Sequence, residues 1–190
     1  MAIKEYFYNA NIRLSEHFVT SEFRCKCGKA HNTKIDDDLI IKLESLYKKL
    51  NCSKIIINSG YRCSAHDKNV GGNGYGQHVN GTAADIVCYD KFGKKISSKV
   101  VCCAAQDVGF SGIANIDSTY TVAHVDVRSS LKWFGDETVT TAYSVCSDFY
   151  SHYKLSKSDV YGDSAPSSKR TKSVTLTVDG VTYEGTLTEK

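Results

Sequence analysis

The stretch "TVAHVDVR", residues 121–128, constrains the fold more than any other part of the chain. Alternate residues of a strand share a face, so His124, Asp126 and Arg128 point one way while Val125 and Val127 point to a core. Either the polar face is simply solvated, or three side chains in a row serve one site. A second stretch, "GQHVNGTAADI" (76–86), bears on the choice. Asp85 shares its strand face with Ala83 and Val87 and is therefore half-buried. A carboxylate in that position needs a cation or several donors. His78, seven residues earlier, completes a set of two histidines and one carboxylate with Asp85 and His124. Catalytic zinc sites use three protein ligands of this kind and leave a fourth position for water.

Around these segments the periodicity alternates between helix and strand. "IDDDLIIKLESLYKKL" (35–50) places Ile35, Leu39, Leu43, Leu46 and Leu50 at helical spacing, with acids in the first turn and lysines in the last. Ile55 to Ile57 read as a short buried strand, "TAADIVCY" as another, and "ISSKVVCCAAQDVG" as a helix closed by Gly109. "SGIANI" and "YTVAHVDVR" give two further strands. Residues 139–153, with Ala142, Val145, Phe149 and Tyr153, have the spacing of a last helix. "NVGGNGYG" is glycine-rich but has no lysine or helix to make a phosphate loop, and its use is to let backbone fold around a site.

The composition changes at Leu155. A Ser- and Lys-rich stretch holding the only proline marks a linker over 155–172, separating a domain at 1–154 from an appendage at 173–190. The appendage, "VTLTVDGVTYEGTLTE", alternates around Asp179-Gly180, a strong hairpin signal. A lone two-stranded hairpin is marginal in water. It is expected to dock on the main domain, to self-associate, or to attach the protein to a partner such as a cell wall.

Composition excludes several classes. The net charge of +3 is mild and its lysines are interspersed with acids, which argues against nucleic acid as a partner. No apolar run is long enough for a membrane span. The first residues, "MAIKEYFYNANIRLSEHF", lack the pattern of a signal peptide, so synthesis in the cytoplasm is expected, with action elsewhere only after release. Of eight cysteines, Cys88, Cys102 and Cys103 lie in apolar runs and read as small buried hydrophobes. Cys25 and Cys27 stand in polar "RCKCGKAH". Their spacing differs from the C-x₂-C of common zinc sites, and free thiols or a local disulfide are expected ahead of a metal.

"LSEHFVTSEFRCKCG", "INSGYRCSAHDKNVGG", "GQHVNGTAADI" and "HVDVR…KWFGDE" occur in the order and spacing seen in the zinc D-Ala-D-Ala carboxypeptidase-like peptidases of the M15 family. The chain most resembles the subgroup found in phage endolysins and bacterial murein peptidases, over roughly residues 12–137. The resemblance implies a compact α+β fold shared with Hedgehog signalling domains, with a small, mainly antiparallel sheet flanked by helices. It implies a zinc cofactor on His78, Asp85 and His124, and hydrolysis of peptide bonds in peptidoglycan stem peptides at the bacterial wall, as by a phage lysin. Whether the bond is D,D or L,D, and whether cleavage is carboxy- or endopeptidase, stays open.

Arg62 in "SGYR" resembles the family arginine near the substrate carbonyl or carboxylate, a task for a planar donor. The positions where family branches carry a general base hold Thr121 and Val122, which cannot take a proton. Asp126 is the nearest carboxylate and is expected as the base, the alternative being a carboxylate that orients Arg128 or a ligand histidine. Gly76 replaces a serine common in the family, so Tyr75 or Gln77 would bind substrate in its place. His66 reads as structural or close to substrate, and Trp133 and Phe134 as packing behind the site. A non-catalytic zinc-binding interaction domain on the same fold is the competing reading, kept by the missing base and by Gly76.

Overall fold

The computed structural model of the protein describes residues 2–141, 143–162, 171–178 and 181–188. Its centre is a five-stranded sheet built from β3 (Lys54–Ser59), β4 (Ala83–Tyr89), β5 (Gly112–Asn115), β6 (Ala123–Asp126) and β7 (Trp133–Asp136). The order is β3-β4-β6-β5-β7, and every neighbouring pair is antiparallel except β5 with β7. The expected α+β class with a mainly antiparallel sheet is therefore what the chain forms. A separate small sheet pairs β1 (Ile3–Tyr6) with β2 (Thr33–Asp36).

One face of the large sheet carries the core. Ile55, Ile57, Ala84, Ile86, Cys88, Ile113 and Val125 are buried on it. Helix α4 (Ser98–Val108) packs across β4, β5 and β6, and α1 (Asp37–Lys49) packs on α4. Cys88, Cys102 and Cys103 are fully buried, as their apolar neighbours implied. The register Asp85↔His124 and Ala83↔Asp126 puts the polar residues of β4 and β6 side by side on the opposite face. Two short helices before β4, α2 (Ser64–Asn69) and α3 (Gln77–Asn80), border that face with the glycine-rich loop between them.

Several boundaries differ from the sequence reading. Helix α1 starts at Asp37, because Ile35 lies within β2 and Asp36, its last residue, caps the helix by accepting the Asp38 N–H at 2.8 Å. The helix expected over 139–153 is confined to α5 (Phe149–Tyr153). Upstream of it the chain runs beside β7, with Val145 N–H donating to the Phe134 carbonyl at 2.7 Å and the Asp148 carboxylate capping the helix; Ala142 lies outside the described residues. The linker expected from 155 begins instead with α6 (Lys157–Tyr161). Its Val160 is buried, and Lys157 and Tyr161 both bind the Asp107 carboxylate of α4.

Strands β8 (Thr171–Val178) and β9 (Val181–Thr188) pair antiparallel from Thr171↔Thr188 to Val178↔Val181. The hairpin thus begins two residues earlier than expected. Its Asp179-Gly180 turn and residues 163–170 of the linker lie outside the described residues. Among the described residues no helix is long and apolar enough to cross a membrane.

Candidate metal centre

Three side chains converge on one point beside the sheet. His78 Nε2 lies 3.2 Å from Asp85 Oδ1 and 3.2 Å from His124 Nδ1, and His124 Nδ1 lies 2.9 Å from Asp85 Oδ1. The supports of both rings fix their tautomers. His78 Nδ1 sits 2.7 Å from the Gly60 carbonyl, which can only accept, so Nδ1 carries the proton and Nε2 offers a lone pair. His124 Nε2 sits 3.1 Å from Asp126 Oδ2, so its Nδ1 is the free nitrogen. Three electron-rich atoms facing one another in a buried site repel unless a proton or a cation lies among them. Ligands at the zinc distances of ~2.0–2.1 Å in a tetrahedron are separated by about 3.3 Å, so this triangle fits one such ion.

The electrostatics agree. Burial alone would raise the Asp85 carboxyl, but hydrogen bonds from His124 and His78 hold it well below the usual carboxylate range. Burial opposes charge on His124, yet Asp126 and Asp85 raise it to about 9, so in the metal-free chain a proton occupies the place a cation would take.

Asp126 is not where a base must be. It is fully buried, and its oxygens accept from Arg128 Nε at 2.9 and 3.0 Å and from Arg128 Nη2 at 2.5 Å, besides His124. It lies behind the His124 ring and does not line the cleft. The strand period places it on the polar face, as expected, but the intervening imidazole separates it from the point of convergence. Gly112 makes room for it: a Cβ there would stand 2.0 Å from Asp126 Oδ2. Asp126, expected as the base, meets His124 and Arg128 here, the contacts expected of the alternative, a carboxylate that orients Arg128 or a ligand histidine.

The cleft over the three residues has a volume of about 570 Å³ and is walled by Arg62, Gly72, Gln77, Arg128, Trp133 and Glu137, among others. Arg62 lies on it, but its guanidinium is already engaged: Nη2 reaches Asp85 Oδ2 at 2.5 Å and Nε reaches Ser59 Oγ at 2.8 Å. It therefore holds the second oxygen of Asp85, leaving the first directed at His78 and His124. Gln77 lines the cleft as expected, whereas Tyr75 is 74% exposed and outside its wall. Trp133 does not pack behind the site but forms the cleft wall, edge-on to His124 at 6.1 Å and under the Arg128 guanidinium at 5.2 Å. Phe134, one residue on, faces the core and stacks on Phe149 at 5.0 Å.

The side chain that sequence reasoning missed is Glu137. It follows β7, lines the cleft, and its carboxyl is raised above the ordinary value by burial and by the negative charge of Asp85. The signal was present in "KWFGDE", quoted with the other motifs, but a residue beyond a strand end cannot be assigned to a face by period 2.

The chain matches the family model described as Peptidase M15 over residues 16–126, more than half its length, and belongs to that family of peptidases. No curated protein and no solved structure matches it. The matched span contains Arg62 and all three convergent residues, while Glu137 lies beyond it.

Proposed function

We propose that the protein is a zinc-dependent peptidase that cuts peptide bonds in peptidoglycan stem peptides, with His78 Nε2, Asp85 Oδ1 and His124 Nδ1 as the metal ligands. The observation that carries this reading is the triangle of 2.9–3.2 Å among three lone-pair atoms whose tautomers are fixed from behind. The peptidoglycan substrate rests on the resemblance of the four motifs to murein peptidases, and two arginines on the cleft suit a stem peptide that carries carboxylates.

A zinc ion bound there supplies a Lewis acid for the scissile carbonyl and lowers the pKa of water toward ~7. The remaining work falls to the chain. Glu137 accepts the proton of the attacking water and returns it to the departing amine, a task its raised pKa favours. Arg62 fixes the Asp85 carboxylate, the Gly60 carbonyl fixes the His78 ring, and Asp126 fixes the His124 ring. Arg128, spread over Trp133, is the cation placed to meet a substrate carboxylate. The competing reading, a non-catalytic binding domain, drew its strength from the missing base, and a carboxylate in the cleft wall weakens it.

Glu137→Gln tests the assignment. Turnover should fall by ~10²-fold or more with zinc content and melting temperature near those of the parent. Turnover within about threefold of the parent would remove Glu137 from the chemistry.

A further inference from the structure

Outside the cleft, a cluster of three cysteines among the described residues has the chemistry of a soft-metal ligand set. The sulfurs of Cys25, Cys27 and Cys63 lie within 4.8 Å of one another, and none is in a disulfide. Sequence spacing hid this, since the third sulfur comes from the turn after β3, far from the Cys-x-Cys pair. The backbone prepares each sulfur as an acceptor. The Cys63 N–H donates to Cys25 Sγ at 3.3 Å and the His66 N–H to Cys63 Sγ at 3.4 Å. The backbone N–H groups of Cys27 and Lys29 turn toward Cys25 Sγ and Cys27 Sγ respectively. The second of these turns passes through Gly28 at φ 76°, a conformation that side-chain-bearing residues rarely adopt. Amide donors aimed at sulfur favour the thiolate. Thiolates at zinc distances of ~2.3 Å in a tetrahedron stand about 3.8 Å apart, a spacing that falls inside the 4.8 Å within which these sulfurs lie.

We infer that Cys25, Cys27 and Cys63 form a second, structural metal site for a thiophilic divalent ion such as zinc. Three thiolates select a soft or borderline ion over magnesium or calcium. The fourth position falls to water.

The ion would tie the loop after the 3-10 turn Thr20–Phe23 to the segment that carries Gly60 and Arg62. These segments already touch, through the Tyr61 N–H donating to the Phe23 carbonyl at 2.8 Å. The site therefore clamps, from outside the cleft, the two residues that hold His78 and Asp85. It shares no ligand with the His78–Asp85–His124 group and does not rest on the peptidase reading.

Metal counting on the full chain tests it. Protein purified under reducing conditions, loaded with zinc and desalted should hold about two equivalents by elemental analysis. Cys25→Ser with Cys27→Ser should leave about one, and His124→Ala should remove the other. If the serine variants fail to fold, cobalt added to the metal-free parent should give the near-ultraviolet sulfur-to-metal absorption of a thiolate complex. A parent that holds one equivalent, unchanged by the serine substitutions, would overturn the inference. So would cobalt-loaded protein without that absorption, or an intact mass showing a disulfide among these cysteines in reducing buffer.

Discussion

His124 shows how one residue's two nitrogens divide the work. Nε2 is tied to Asp126 and Nδ1 faces Asp85 and His78, so under the proposed function the Asp126 carboxylate acts through the ring and not on a substrate. Asp126→Asn should lower zinc affinity by ~10–100-fold, the usual cost of removing such a support. Turnover of the metal-saturated variant should stay within about tenfold of the parent. A variant that keeps its zinc affinity but loses turnover would restore Asp126 as the base. The same ring sets a pH dependence. Its pKa in the folded, metal-free chain is about 9, above the ordinary 6.5. The stabilisation it contributes is therefore complete below about 6.5 and is lost as pH rises through 9. Metal must displace that proton, so apparent zinc affinity should rise by about tenfold per pH unit while one proton is released, levelling off near 9. Competition with a chromophoric chelator at pH 6.5, 7.5 and 8.5 measures the slope; a flat profile would mean that His124 does not exchange a proton for the ion.

At the scale of elements, truncation separates the packed body from the hairpin. Removing residues 163–190 should leave the zinc content and the turnover on small soluble muropeptides unchanged, and should reduce retention on intact walls if β8 and β9 serve attachment. Removing residues 157–190 also deletes the buried Val160 and two of the three side chains that bind Asp107, leaving Tyr150. That loss is worth roughly 2 kcal/mol and a melting point lower by about 4–8 °C. Equal melting points for the two truncations would show that α6 adds nothing to the body. The reason α6 escaped sequence reading is its brevity: five residues with one buried valine show no 3.6-residue period, and Ser, Lys and Asp dominate its surroundings. By contrast α4, β4 and β6 were legible because each spans enough residues for burial to repeat. His78, Asp85 and His124 were legible as a set from spacing and strand parity. Glu137 and Cys63 were not, because their place is decided by turns that bring distant segments together, which no local period records.

Over the whole molecule, one sheet separates two kinds of chemistry. Its core face is closed by α1 and α4, and its other face gathers residues from β4, β6, α3 and the turn after β3 around one point. Membership in the Peptidase M15 family gives that arrangement its class, and the convergence of His78, Asp85 and His124 is the ground on which a metal is proposed there. The measurement that bears most directly on the account is mass spectrometry of purified muropeptides after digestion, run with the zinc-loaded protein, with chelator, and with zinc restored. Stem peptides shortened or un-crosslinked by hydrolysis of a peptide bond, lost with chelator and recovered with zinc, is the expected result. Muropeptides left intact by fully zinc-loaded protein, or cleaved equally well after complete metal removal, would contradict it.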